Sequence, residues 1–339
     1  MVQFFWLAVV FALSGLAGTA AAQQTLDQVH KRGRLECGVS PIAPGFSYLD
    51  SQGRRRGFDV DLCRAVAAAI FADDTKVDFV PLDTNIRYEA LRSTRVDVLI
   101  AQATWTFTRD TRLGLDFGPV VFHDGQGIMA RSDLAAADDI NALAGAAVCL
   151  LPGTTSEQNL EDYLRTRSLK YEPVVFQNAD EWRNAFLSGR CDAVSADRSI
   201  LVSVRAMANE PEKFAILSKT ISKEPLAPVV RANDSSWRDI ISWVVFALLA
   251  AEEKGITTEN LQDHAHSSDP ETRRLLGETG NFGSMLSLSD RWAFNVLRLV
   301  GNYGQIFDRH FGPGSTMPLP RGPNKLTRDG GYLYAPPFR

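Results

Sequence analysis

The order strand, helix, strand, helix, strand occurs twice in succession along this chain, and this repetition constrains the fold most. In the first unit, the pattern predicts strands at 35–39, 77–82 and 98–100 and helices at 59–71 and 87–93. In the second unit, it predicts strands at 146–151, 174–177 and 191–196 and helices at 156–167 and 179–188. Strands joined through helices lie parallel in one sheet with right-handed crossovers. Two such units of similar size predict an α/β protein of two lobes, each a mostly parallel sheet flanked by helices.

The amino-terminal segment has the pattern of an export signal. Residues 1–22 carry no charged side chain, have an apolar core from Phe4 to Leu13, and end in small residues at 19–22. This pattern predicts a signal peptide cleaved near Ala22, although the usual basic residue before the apolar core is missing. Beyond it, no apolar run reaches the ~18 to 20 residues of a spanning helix, so we expect the mature chain outside the cytoplasm.

Charge and motifs exclude two classes of function. The net charge is −4, whereas nucleic-acid binders usually carry a basic patch, so we expect no nucleic-acid partner. The chain contains no GxxxxGK[ST] motif, which argues against ATP hydrolysis by this chain.

Four cysteines fit an exported protein, where an even count indicates disulfides and four allow three connectivities. Pairing Cys37 with Cys63 and Cys149 with Cys191 keeps each bridge within one α/β unit, so we favour that pairing. A zinc site is the alternative, and it is weaker because the cysteines are far apart and the five histidines do not cluster near them.

A polar segment follows the buried strand at 98–100, at the sheet edge where open α/β sheets bind ligands. Its polar residues include Gln102, Thr104, Thr106, Thr108 and Arg109. Hydroxyl groups followed by a guanidinium suit a carboxylate, because arginine offers a planar, permanently charged fork of donors. The alternative is a surface loop in which Arg109 pairs with Asp110 or Asp116.

The second unit offers complementary groups at its own strand ends. Thr154 and Glu157 form a capping-box pattern, so a helix amino terminus suited to an anion should open near Thr155. Asp197 ends the third strand and is an acceptor for an ammonium group. The alternatives are an ordinary helix cap at Thr154 and a capping role for Asp197. Together with Arg109, these groups complement a zwitterion such as an α-amino acid.

Several motifs make the chain resemble a known family, the polar amino acid-binding proteins of bacterial ABC importers, and within it the general L-amino acid-binding subgroup. They lie at 57–62, 104–109, 124–127, 153–155, 192–197, 221–226, 300–304 and 331–339. The resemblance covers essentially the whole mature chain. It implies a periplasmic protein with the two-lobed Venus flytrap fold.

The resemblance also implies residue roles. Arg109 would clamp the ligand carboxylate, assisted by the backbone and hydroxyl of Thr104 and by the N–H and hydroxyl of Thr155. The main-chain carbonyl of Gln102 would accept from the ammonium group, whose charge Asp197 would neutralise. No cofactor and no metal are expected.

Specificity depends on two further places. Phe46 would pack on the ligand side chain. The loop at 42–45 lacks the aromatic residue of basic amino acid binders, and Gln102 replaces a residue that is commonly small. These departures favour broad specificity for L-amino acids.

The resemblance implies hinge closure between lobe one (25–122 plus 228–339) and lobe two (123–227). The chain would pass from one lobe to the other twice. The closed form would deliver its ligand to the permease subunits of an ABC transporter, and the protein would touch the membrane only through them, as a monomer.

Two alternatives belong to other classes. A periplasmic enzyme on the same fold, such as a cyclohexadienyl dehydratase-like enzyme, needs a positioned general acid or base. His123 is the only histidine near a proposed hinge, and the strand ends place no pair of carboxylates at the cleft, so we expect no enzymatic activity. The sensor half of a receptor would need a membrane helix after the lobes.

Overall fold

The computed structural model describes residues 24–136 and 138–339. The predicted signal peptide, residues 1–22, lies outside these residues. The α-helices are α1 (Gln24–Arg32), α2 (Phe58–Phe71), α3 (Arg87–Arg92), α4 (Phe107–Arg112), α5 (Thr155–Arg165), α6 (Ala179–Leu187), α7 (Arg198–Ala206), α8 (Ser235–Glu253), α9 (Pro270–Leu275), α10 (Phe282–Met285), α11 (Trp292–Leu299) and α12 (Tyr303–Phe311). The strands are β1 (Leu35–Val39), β2 (Tyr48–Leu49), β3 (Arg55–Arg56), β4 (Val77–Pro81), β5 (Val98–Leu99), β6 (Leu115–Phe117), β7 (Phe122–Asp124), β8 (Gln126–Arg131), β9 (Ala147–Leu150), β10 (Glu172–Val175), β11 (Ala193–Asp197), β12 (Phe214–Ile216), β13 (Glu224–Leu226) and β14 (Val229–Arg231).

Two five-stranded sheets organise the two lobes. The first has the strand order β4-β1-β5-β14-β6, and the second has the order β10-β9-β11-β8-β12. In each sheet the three strands of one βαβαβ unit are parallel, and two further strands are antiparallel to their neighbours. The predicted α/β class with two mostly parallel sheets is therefore confirmed.

The chain passes between the sheets along two strands that pair with each other. β7 leads into the second sheet and β13 leads back, and the two are antiparallel, with Glu224 opposite Asp124 and Leu226 opposite Phe122. We call β7 and β13 the crossing strands. After the second crossing, β14 inserts between β5 and β6 of the first sheet.

The two disulfides each stay within one lobe. Cys37 of β1 is bonded to Cys63 of α2, and Cys149 of β9 is bonded to Cys191, which precedes β11. This is the pairing favoured from the sequence, and each bridge joins a strand of a sheet to another element of its own α/β unit.

Gly57 shows why the motif at 57–62 needs its glycine. Its φ is 135°, and a Cβ atom there would lie 2.0 Å from the carbonyl oxygen of Phe46. Only glycine combines that backbone conformation with so close an approach, and the approach lets α2 begin directly beneath the loop that follows β1.

We call residues 300–339 the C-terminal segment. This segment is hydrogen bonded to the first crossing strand and to the residue before it. The Tyr303 hydroxyl donates to the carbonyl of Val121 at 2.7 Å. The Asn324 side chain accepts from the backbone N–H of His123 at 2.6 Å and donates to its carbonyl at 3.1 Å. Asn324 therefore pairs with His123 as a neighbouring strand would, and it is buried.

In the part of the chain that the structure describes, no helix combines the length and the apolar character that crossing a membrane requires.

We expect Asn324→Ala to lower the free energy of unfolding by about 1 to 3 kcal/mol, because two partly buried hydrogen bonds to the backbone of His123 are lost. Thermal and denaturant unfolding measure the change. Asn209→Ala is the matched control, since Asn209 is exposed. Equal stability of the two variants would contradict the role of Asn324.

Candidate functional site

A cleft lies between the facing ends of the two sheets and is lined by residues from both. The predicted residues Gln102, Thr104 and Arg109 line it from the first lobe, and Thr155 and Asp197 line it from the second. The fold thus brings together segments of the two lobes that are about 50 to 90 residues apart in sequence. We expected this because ligands bind at the carboxyl ends of parallel strands.

Phe46 lies elsewhere, and its expected place against the ligand side chain needs correction. It is fully buried, and its ring lies 4.9 Å from that of Phe311 and 5.2 Å from that of Phe122. Phe46 is not among the residues that line the cleft, whereas Ile42 and its neighbours at 40–44 are. The cause is the turn at 43–47, which directs the large ring into the aromatic core and leaves the shorter residues at the cleft.

Arg109 is buried in the wall of the cleft. One of its terminal nitrogens (Nη1) donates to the carbonyl of Thr104 at 3.0 Å, and its guanidinium carbon lies 5.2 Å from the ring centroid of Tyr88. Among the described residues, none of the ion pairs includes Arg109, and Asp116 lies instead 4.0 Å from Arg238. Burial lowers the pKa of Arg109 from its ordinary value. A desolvated guanidinium with unused donors is suited to an anionic ligand.

The amino terminus of α5 adds donors from the opposite lobe. Thr154 caps this helix by accepting from the backbone N–H of Glu157 at 3.2 Å, and the Glu157 carboxylate accepts from the N–H of Gly153 at 2.9 Å. Thr155 is the first helical residue and lines the cleft. The partial positive charge of the helix end is therefore directed at the same space as Arg109.

Asp197 supplies the opposite charge. It ends β11 at the cap position of α7, yet its side chain makes no capping hydrogen bond. Burial, reinforced by the nearby carboxylates of Asp124 and Glu224, raises the pKa of Asp197 well above its usual range, while Arg87 and Arg109 oppose this shift. A cationic group bound beside Asp197 would favour its ionised form.

Glu224 of β13 is the residue that sequence reasoning missed. Its side chain is almost completely buried, and its Oε2 accepts from the hydroxyls of Thr104 at 2.7 Å and Thr155 at 2.9 Å. The amide of Asn159 donates to Oε1 at 2.9 Å. Glu224 thus joins the two lobes where the predicted donors meet. The sequence feature that could have indicated this role is that Glu224 is the one acidic residue of β13, whose other residues are apolar.

Asp197 has two acidic neighbours that were not predicted from the sequence. Asp124 and Glu224 are not among the residues that line the cleft, but they lie close enough to Asp197 to raise its pKa. Burial raises the pKa of Asp124 too, against the hydrogen bonds that it accepts from Ser199 and Gly125. Within residues 24–136 and 138–339, no three acidic, histidine or cysteine residues are arranged to hold a metal ion.

Gln102 and Arg87 complete the polar wall of the first lobe. Gln102 has a φ of 46°, and its side chain accepts from the hydroxyl of Ser40 at 3.0 Å and donates to Asp59. The Gln102 amide is therefore engaged in holding the loop after β1. Arg87 donates to the carbonyl of Ala101 at 2.7 Å, but its buried Nε has no partner in the described part of the chain.

Comparison with known proteins agrees with this architecture. The family described as bacterial extracellular solute-binding proteins, family 3, matches residues 35–259. The general L-amino acid-binding periplasmic protein AapJ of Rhizobium johnstonii is 45% identical over 334 residues, which are 98% of each chain. The glutamate/glutamine/aspartate/asparagine-binding protein BztA of Rhodobacter capsulatus is 44% identical over 329 residues, which are 97% of each chain.

A solved structure extends the likeness to three dimensions. An ABC transporter periplasmic binding protein from Brucella ovis with glutathione bound superimposes with a TM-score of 0.90 and 44% identity, and it covers 93% of this chain and 99% of its own. The two-lobed architecture is thus shared across nearly the whole of both chains.

We expect Asp197→Asn to stabilise the ligand-free protein at neutral pH. Folding raises the pKa of Asp197, so between the usual carboxyl pKa and the raised one the folded protein keeps a proton that the unfolded chain releases. As pH rises through this range, the free energy of unfolding therefore falls. Each unit of the shift is worth about 1.4 kcal/mol. The asparagine side chain does not ionise, so the substitution removes this loss of stability.

Unfolding midpoints measured across pH check the expectation. The gain of Asp197→Asn should be present at pH 7 and should vanish in acid, and Asp239→Asn, at an exposed position on α8, should show no such dependence. A destabilised Asp197→Asn protein at pH 7 would contradict the raised pKa of Asp197.

Proposed function

Since this chain belongs to family 3 of the bacterial extracellular solute-binding proteins, we propose that it captures L-amino acids in the cleft and delivers them to an ABC permease. The observation that carries the proposal is the buried Arg109, which has no carboxylate partner among the described residues and shares the cleft with Thr155 and Asp197 of the other lobe. The relatives named above are amino acid-binding proteins, and the chain is a binding protein rather than an enzyme.

The carboxylate of the ligand would bind between the lobes. Arg109 has donors left after its bond to the Thr104 carbonyl, and the first-turn N–H groups of α5 at Thr155 provide further donors. A guanidinium and a helix amino terminus are both suited to an anion. Because they come from different lobes, a bound carboxylate would hold the lobes together.

The ammonium group would lie beside Asp197, with the main-chain carbonyl of Gln102 as a further acceptor. Asp197 lines the cleft and is not used to cap α7, so its carboxylate is available to a cation. The negative charges of Asp124 and Glu224 make this part of the cleft favourable for an ammonium group.

The side chain of the ligand would be held loosely. Apolar residues of both lobes, among them Ile42 and Trp182, share the cleft with the guanidinium groups of Arg87 and Arg183. This mixture suits aliphatic and acidic side chains alike, so we infer broad specificity that includes glutamate and aspartate. The names of AapJ and BztA support breadth of this kind.

Release and delivery would depend on rotation about the crossing strands. We assign lobe one to residues 25–122 plus 228–339 and lobe two to residues 123–227, because β14 returns to the first sheet directly after β13. Ligand contacts from both lobes favour the closed form through differential affinity. The permease would recognise that form. We place the protein in the periplasm as a monomer, with its leader removed near Ala22.

We expect a thermal-shift panel of the amino acids and glutathione to show stabilisation by several L-amino acids, because a ligand that binds only the folded state stabilises it by mass action. Arg109→Ala should abolish this binding, with a loss of several kcal/mol by calorimetry, because a buried carboxylate would lose its charged partner. The control is Arg112→Ala at an exposed position of the same helix. Unchanged affinity of Arg109→Ala would refute the assignment.

We expect Asp197→Asn to weaken α-amino acids far more than their deaminated analogues, because only the former carry the ammonium group. Calorimetry with each pair of ligands measures the ratio. Binding by the unmodified protein should also weaken as pH falls through the raised pKa of Asp197, since the protonated form offers no charge. Equal losses for both ligand classes would remove the ammonium role.

A further inference from the structure

We propose that Glu224 is a positioning residue of the binding site, which orients the Thr104 and Thr155 hydroxyls so that their oxygens accept hydrogen bonds from the ligand. This inference rests on the proposed function and deepens it. It changes the roles that the family resemblance implied for these hydroxyls, which were expected to donate to the ligand carboxylate.

Four donors surround the Glu224 carboxylate. Oε2 accepts from the hydroxyls of Thr104 and Thr155, and Oε1 accepts from the amide of Asn159 and the hydroxyl of Ser222. A carboxylate has about four lone-pair sites, and all four are occupied here, which leaves no place for a proton. In this arrangement both Glu224 oxygens only accept.

Each threonine hydroxyl has one hydrogen to donate. Because Glu224 takes both hydrogens, the Thr104 and Thr155 oxygens have only lone pairs left for other partners. These oxygens are 3.5 Å apart, so they form a paired acceptor surface at the point where the lobes meet. A carboxylate has nothing to donate to such a surface, whereas an ammonium group has three hydrogens.

The orientation is held firmly because Glu224 is fixed from several sides. Thr104 belongs to the first lobe, Thr155 and Asn159 belong to α5 of the second, and Ser222 precedes β13 itself. Glu224 is 1% exposed, so water does not compete for its oxygens. In this arrangement of the lobes, the hydroxyls are therefore held in one orientation.

Charge acts in the same direction. Among the charged groups that face Asp197, Asp124 and Glu224 are negative and raise its pKa, whereas Arg87 and Arg109 are positive and lower it. Glu224 thus adds negative potential on the side of Asp197. A zwitterion would turn its ammonium group toward Asp197 and the threonine oxygens, and its carboxylate toward Arg109 and the α5 amino terminus.

The test is Glu224→Gln, measured by calorimetry with L-glutamate and glutarate, or with the tightest-binding amino acid of the panel and its deaminated analogue. Glutamine removes the charge and leaves one carbonyl oxygen for four donors, so residue 224 no longer holds all of the hydroxyl hydrogens. We expect at least a tenfold loss of affinity for the amino acid and less than a twofold loss for the analogue.

A second readout separates this role from a purely structural one. The pH below which amino acid binding weakens should move lower in Glu224→Gln, because Asp197 loses a like-charged neighbour. Glu252→Gln is the matched control, since Glu252 forms a partly buried ion pair with Arg321 outside the cleft, and it should change neither affinity ratio nor pH profile. An unchanged affinity ratio in Glu224→Gln would overturn the proposal.

Should Glu224→Gln fail to fold, Thr155→Val and Thr155→Ser decide the matter. Valine removes the acceptor oxygen and should weaken the amino acid at least fivefold relative to its deaminated analogue, whereas serine keeps the hydroxyl and should restore the ratio. Equal ratios in both variants would overturn the role of the hydroxyls. Absence of amino acid binding by the unmodified protein would overturn the proposed function as well, so the two failures are distinguishable.

Discussion

The pairing of β7 with β13 places two acidic residues, Asp124 and Glu224, directly opposite each other where the chain passes between its lobes. Like charges at such positions repel and destabilise a sheet. Here each carboxylate is surrounded by its own donors: Ser199 and Gly125 for Asp124, and the two threonines with Asn159 and Ser222 for Glu224. Hydrogen-bond donors from both lobes thus surround the two acidic residues at the crossing.

The cleft concentrates charge that the ligand-free protein does not neutralise. Arg109 is buried without an ionic partner among the described residues, and Asp197 has a raised pKa because burial and neighbouring carboxylates disfavour its charge. Unpaired buried charges reduce stability, and a site that must bind both ends of a zwitterion has to accept that cost. Binding would restore the missing partners, which couples occupancy of the cleft to the stability of the protein.

Much of this arrangement was predictable from the sequence, for identifiable reasons. Parallel strands direct their carboxyl ends to one edge, so Arg109, Thr155 and Asp197 could be placed at the cleft from their positions after buried strands. The cysteine pairing followed from keeping each bridge within one α/β unit. Glu224 escaped prediction because its partners lie 120 and 69 residues away, and no local pattern joins them. Phe46 was misplaced because an aromatic residue in a loop can turn either toward the ligand or toward the core.

The C-terminal segment affects how the lobes can move relative to each other. A strand whose backbone is hydrogen bonded through Tyr303 and Asn324 to one lobe travels with that lobe. Both crossing strands are held in this way: the backbone N–H of Trp105 in the first lobe donates to the carbonyl of Pro225 in β13 at 2.8 Å, as Asn324 binds His123 in β7. Rotation of the second lobe, as proposed, would therefore change backbone angles beyond β7 and before β13 rather than within the two strands.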